Sequence, residues 1–319
     1  MRTLVLFALL LCSFASFAQT KTVVVAQDGS GNYRSVQAAL DAVPKNTTAG
    51  LTIFIRKGIY KEKLNLAKKQ NFVHLVGEDA NATVLTYDDY NGRTYDNGEP
   101  LGTSEASSFR VFGNNFSAEN LTFENTAGTL GQGPAMWVYG DKASFVNCRF
   151  LGFRDTLYPY GYGSRQYYKN CYIEGTTDFI LGSATAWFEG CTLFCKPGGT
   201  CLTAASTPDS VRYGFVLQRC KIVGDAPADS YYLGRPWKPF AKTVLLNCEL
   251  GPQVKARGWD HWGKESNKQE AFFAEFKSVG PGASPKARAP WTRQLTPQQA
   301  AFYTIESVLG GWNPEQVAQ

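Results

Sequence analysis

Short polar-then-apolar runs recur along residues 50–250, and little of that stretch has helical periodicity. Five of the runs read alike: VNCRFLG (146–152), KNCYIEG (169–175), EGCTLFC (189–195), QRCKIVG (218–224) and LNCELG (246–251). ENLTFEN (119–125) is a sixth, with Leu121 in the cysteine position. The cysteine intervals are 23, 20, 29 and 28 residues, a spacing that marks stacked units burying their apolar sides against one another. Val, Ile, Phe, Tyr and Thr are plentiful, which favours strands. The pattern predicts an all-β chain wound as a right-handed parallel β-helix, a single domain over residues 19–319, with variable turns bulging out between rungs.

An open solenoid end exposes strand edges and core, so short capping helices are expected at both ends. Ser35 through Val43 has apolar residues at helical spacing, opens on a capping serine and stops before Pro44. It should plug the N-terminal end. Thr296-Pro297-Gln298-Gln299 is a capping-box pattern. The helix it opens, through about Leu309, should pack along or over the far end.

The first 18 residues stand apart. Arg2 precedes the apolar run Leu4–Leu11, and Ser16-Phe17-Ala18 supplies small residues before Gln19, the marks of a secretory signal peptide too short to span a membrane stably. The mature protein is expected to be secreted or periplasmic, free of the membrane after cleavage, and a monomer. Net charge is +5, but basic residues alternate with acidic ones, which disfavours nucleic acid and merely permits an anionic polymer.

The cysteines read first as an internal ladder of small hydrophobes. Adjacent rungs ~4.8 Å apart also permit disulfides in an exported protein, with Cys171–Cys191 and Cys195–Cys201 as candidates. No C-x-x-C pair occurs and His74 and His261 lie far apart in sequence, so no metal or other cofactor is expected.

Chemistry follows from the same spacing. Asp155 and Asp178 each lie seven residues beyond a repeat cysteine, Cys148 and Cys171. If the coils stack without slippage, the two carboxylates are vertical neighbours roughly 5 Å apart. Like charges that close raise one pKa, giving a protonated acid beside an ionised carboxylate. The blander alternative is that each aspartate caps a turn. A Ser-His-Asp hydrolase has little material, with two histidines and no G-x-S-x-G elbow. A calcium-assisted lyase would want clustered acids, and Asp88-Asp89 is the only adjacent pair in the relevant stretch.

Five separated stretches resemble the signature blocks of the pectin methylesterases: Gly58-Ile59-Tyr60-Lys61-Glu62, Gln132-Gly133-Pro134-Ala135-Met136, Arg154-Asp155-Thr156-Leu157-Tyr158, Gly175 through Gly182, and Leu233-Gly234-Arg235-Pro236-Trp237. The likeness runs in order from about residue 22 to 314. It implies removal of methyl esters from a polysaccharide, methylated polygalacturonate, on the β-helix expected above. It implies Asp178 as nucleophile, Asp155 as general acid and base, Gln132 as oxyanion donor and Arg235 as the partner that keeps Asp178 ionised. Thr103, Gln132, Tyr158, Arg235 and Trp237 match substrate-contacting positions. Trp259, Tyr160 and Tyr162 are expected to add subsites or pack at the rim.

This chain departs from the family at Arg154, where a glutamine that helps form the anion hole is usual; an arginine can still donate hydrogen bonds there, with full charge, so Arg154 stays among the expected catalytic residues. A cation there is expected to lower the pKa of Asp155 and weaken it as an acid, so Arg154→Gln should raise turnover at neutral pH. Leu181 replaces a usual phenylalanine, and Pro134 and Met136 alter the glutamine block. A non-catalytic polysaccharide binder, a retaining glycosidase, and an esterase or thioesterase whose pocket Leu181 and Met136 reshape are the rival readings.

Overall fold

The computed structural model describes residues 21–95 and 98–315. Residues 1–18, read as a signal peptide, lie outside them. Among the described residues, parallel strands form three sheets of 11, 7 and 8 strands. The chain visits the three in turn: Ala143–Val146, Arg149–Leu151 and Leu157–Pro159 make one coil, and Arg165–Lys169, Tyr172–Gly175 and Thr177–Gly182 the next. This is the parallel β-helix that the repeats predict.

The cysteine motif has two physical parts. The residue before each cysteine turns the corner in the left-handed region: Asn147 (φ 52°), Asn170 (52°), Gly190 (61°), Arg219 (53°) and Asn247 (53°). Asn120 (55°) does the same ahead of Leu121. Asparagine and glycine tolerate that conformation best, which is why the motif reads N-C so often. The following side chain then points inward, and every repeat cysteine is fully buried. Between these corners the interior stacks aromatic rings. Phe145 lies over Tyr168 at 4.9 Å and Tyr168 over Phe188 at 4.7 Å. Burial of each such ring contributes about 1.5–3 kcal/mol.

Register is held between the coils that matter. Phe145 pairs with Tyr168, Phe150 with Ile173 and Leu157 with Ile180, the same 23-residue step that separates Cys148 from Cys171. The following coil breaks step. Thr177 pairs with Cys201 but Ile180 with Thr203, so a bulge falls at Asp178-Phe179. A bulge bends the strand and re-aims a side chain.

Two expectations are corrected. All seven described cysteines are free thiols, including Cys171, Cys191, Cys195 and Cys201. The ladder thiols bond to carbonyls of the preceding coil, Cys171 Sγ to Phe145 O and Cys191 Sγ to Tyr168 O, rather than closing on each other. Cys195 and Cys201 sit in different sheets.

The C-terminal helix is also shorter than expected. The capping box between Thr296 and Gln299 forms, but the helix spans only Pro297–Ala300. Thr304 and Ser307 then make a second box that opens Ile305–Val308. Side-chain oxygens at Thr304 and Ser307 satisfy a fresh N-terminus better than a continuing helix. These turns lie along the outer face of the eleven-stranded sheet, with Leu295, Val308 and Leu309 against Tyr167, Trp187 and Val216. At the N-terminal end the expected helix forms over Val36–Asp41, capped by Ser35 and burying Val36, Ala39 and Leu40.

Candidate active site

The seven-stranded sheet positions the polar residues. Because Leu157 pairs with Ile180, counting back two residues on each strand sets Asp155 beside Asp178. The Asp155 amide donates to Thr177 O at 3.4 Å. Both aspartates adopt left-handed backbone, φ 67° and 53°, a cost that ordinary turns assign to glycine or asparagine. Each is almost wholly buried.

Their surroundings differ. Arg235 grips Asp178 at both oxygens, Nε to Oδ1 at 2.9 Å and Nη2 to Oδ2 at 2.5 Å. Such a fork fixes the direction of both carboxylate oxygens. The guanidinium also lies 3.9 Å from the ring centre of Trp262. Asp155 has no such fork: Arg154 Nε comes no nearer its Oδ1 than 3.8 Å, and its Oδ2 is buried without a hydrogen-bond partner. Burial, then the charge of Asp178, push its pKa up to about 8, with Arg154 and Arg235 pulling the other way. One acid thus stays protonated at neutral pH. Arg154 acts in the direction expected from its charge, but burial and Asp178 outweigh it.

Gln132 sits just before the coil that carries Met136–Val138. Its Oε1 accepts from Asn91 Nδ2 at 2.9 Å and from Thr103 Oγ1 at 3.1 Å, and Asn91 Nδ2 also donates to Thr103 Oγ1 at 2.7 Å. With the carbonyl end of the amide held, its N–H groups are left to donate elsewhere. Thr103, matched by sequence to a substrate contact, spends its hydroxyl here on Gln132.

The aromatic residues divide. Tyr158 and Trp237 border the site, their ring centres 6.0 Å apart, with Trp237 36% exposed. Tyr160 packs against Trp137 and Tyr139, and Tyr162 stands out at the rim, its hydroxyl 3.2 Å from Ser210. Trp259, a sequence candidate for the cleft, is instead fully buried. It stacks on Phe273 and donates Nε1 to Glu275, which places it beneath Gly234 rather than beside a sugar. Trp262, three residues on, takes the position over Arg235. Leu181 packs with Tyr158 and Ala204, whereas Met136 is in the core and cannot shape a pocket. Asn91 and Trp262 carry no sequence signal of their own, since both act through contacts with distant segments.

Beside the acids opens a cleft of about 440 Å³, lined among others by Leu130, Arg154, Thr176, Thr177 and Arg235. A parallel β-helix bearing a buried pair of unequal carboxylates, one fixed by arginine, sets an acid beside a carboxylate, the two groups that ester hydrolysis through a carboxylate needs.

The comparisons with known proteins agree. A family model described as pectinesterase matches residues 22–312. Pectinesterase 31 of Arabidopsis thaliana is 38% identical over 304 residues, covering 94% of this chain and 94% of that protein. The chain spans about half the length, 49%, of a pectinesterase/pectinesterase inhibitor from Brassica campestris to which it is 37% identical. Among solved structures, pectin methylesterase PemA from Erwinia chrysanthemi matches with TM-score 0.83 and 31% identity, over 93% of this chain and 99% of that one. A pectin methylesterase in complex with a hexasaccharide matches with TM-score 0.83 and 32% identity over the same shares. This chain belongs to the pectinesterase family. It is an enzyme that removes methyl esters from pectin.

Proposed function

We propose that Asp178 is the nucleophile and Asp155 the general acid and base of this hydrolysis. The observation that carries the reading is the asymmetry of the pair: Asp178 is held by two bonds from Arg235, while Asp155 is buried, unpartnered at Oδ2 and protonated up to about pH 8.

An oxygen of Asp178 attacks the ester carbonyl carbon of a methylated galacturonate. The carbonyl oxygen becomes an oxyanion, toward which Gln132 donates its amide hydrogens. Collapse breaks the bond to the methoxy oxygen, and Asp155 gives that oxygen its proton, so methanol leaves. The result is an anhydride between Asp178 and the sugar acid. Asp155, now ionised, takes a proton from water as the water attacks the anhydride. The free carboxylate is released, Asp178 returns to Arg235, and Asp155 is again protonated. Tyr158 and Trp237 supply apolar faces for sugar rings.

The substrate on this reading is methyl-esterified homogalacturonan, met outside the cytoplasm by a monomer released after cleavage near residue 18. No helix among the described residues is long and apolar enough to cross a membrane. Methanol release from methylated pectin by the wild type and by Asp178→Asn tests the assignment. Loss of more than about 10³-fold in the variant is expected, and equal rates would remove Asp178 from the chemistry. New reducing ends would instead support the glycosidase reading.

A further inference from the structure

Arg154, which could share an oxyanion with Gln132, is used by none of the steps proposed above. Its side chain is half exposed, and its Nε lies 3.8 Å from Asp155 Oδ1, too far for a hydrogen bond. Among the described residues its guanidinium makes no hydrogen bond, so its donors are left unspent at the wall of the cleft. Arg154 and Arg235 both line that cleft, together with Thr129, Thr176 and Thr177, and no acidic side chain lines it. The charge of Arg235 is matched by Asp178. Arg154 has only the loose 3.8 Å approach of its Nε to the buried Asp155, with half of its own side chain left to solvent, and Asp155 is pushed toward its neutral form.

Pectin offers two kinds of unit to such a place. A methylated unit is neutral, and an unesterified one carries a carboxylate that fits the planar guanidinium fork. We infer that the cleft beside Arg154 is a subsite for the free carboxylate of an unesterified galacturonate unit, making Arg154 a specificity-determining residue. The inference rests on pectin occupying this cleft, as proposed above. Two sources supply the same chemistry: a neighbouring unit de-esterified earlier, or the carboxylate newly made at the reacting sugar.

Binding of a fully unesterified oligogalacturonide, measured by calorimetry, reads the subsite without turnover. Arg154→Gln is expected to weaken that binding about tenfold, and Arg154→Lys to restore part of it, as suits a partly exposed ion pair with charge-assisted bonds. Added salt should weaken binding to the wild type more than to Arg154→Gln. Rates on short methylated oligomers with and without one free carboxylate then separate the sources. A wild-type preference in kcat/KM for the mixed oligomer, lost in Arg154→Gln, assigns the neighbouring unit. Equal rates with stronger product inhibition in the wild type assign the reacting sugar. Equal binding of the unesterified oligomer by wild type and Arg154→Gln overturns the inference. Failure of the nucleophile assignment would show separately, as methanol release by Asp178→Asn.

Discussion

Arg235 and Asp178, 57 residues apart in the chain, meet through two nearly parallel hydrogen bonds of 2.9 and 2.5 Å. The meeting follows from the winding. Strands Thr177–Gly182, Cys201–Ala205 and Tyr232–Pro236 are successive neighbours in one sheet, with Leu181 paired to Ala204 and Ala204 to Arg235. Two rungs therefore separate the residues, a span that an arginine reaches and a shorter cation does not.

That reach makes Arg235→Lys a non-conservative change. A lysine offers a point charge in place of the fork and gives Trp262 no flat cation to stack on. Methanol release should fall about 10²-fold through kcat, with the thermal midpoint little changed. A variant within twofold of wild type would show that orientation by the fork is dispensable.

The acid limb of the mechanism has a pH signature. On the proposed mechanism Asp155 gives its proton to the departing methanol, and its pKa is pushed up to about 8, so log kcat/KM should bend downward above that pH. Arg154 lowers this pKa, and Arg154→Gln should move the bend to higher pH. Linkage gives a second reading. The folded chain retains a proton on Asp155 that the unfolded chain releases near 3.8, so this group's contribution to stability is complete below that value and is lost as pH rises through about 8. Asp155→Asn, inactive, should therefore be less sensitive to alkali than wild type in denaturant titrations across this window. An identical pH dependence of stability would place the Asp155 pKa near its ordinary value.

The Gln132 amide is held at its carbonyl end by Asn91 and Thr103. Gln132→Leu should lower kcat by about 10²–10³-fold, as loss of an oxyanion donor does elsewhere. Asn91→Ala frees the carbonyl end of the amide and should cost less, about tenfold in kcat with KM held. An Asn91 variant that changes KM alone would make Asn91 a substrate contact instead.

Far from the chemistry, Arg288 and Glu275 form a buried ion pair, 3% and 2% exposed at their side chains and 2.7 Å apart. Glu275 also accepts from Trp259, which packs under Gly234. Arg288→Met strands a buried carboxylate and should cost about 3–5 kcal/mol in stability by chemical denaturation. A loss under 1 kcal/mol would show that water reaches Glu275 once the arginine is gone.

Much of the site was legible along the chain because a coil is periodic. Once the N-C corners set the step, the seven-residue offset from Cys148 and Cys171 fixed Asp155 and Asp178 as neighbours, and the pairing of Leu157 with Ile180 bears out that register. The N-terminal helix was equally readable, since Ser35 and Pro44 act locally. The C-terminal segment misled for the opposite reason: Thr304 competes as a cap, and composition does not weigh one cap against continuation of a helix.

Order along the chain determined the stacked strands, the inward ladder and the pairing of the two acids, all of which depend on spacing alone. Tertiary structure decided which acid keeps its proton, that Trp262 and not Trp259 meets Arg235, that Asn91 and Thr103 hold Gln132, and that the cysteines stay reduced. Those outcomes depend on burial and on contacts between loops of unequal length. Loops bulge from the coil by amounts that no repeat encodes, so their side chains find partners only when the whole solenoid is wound.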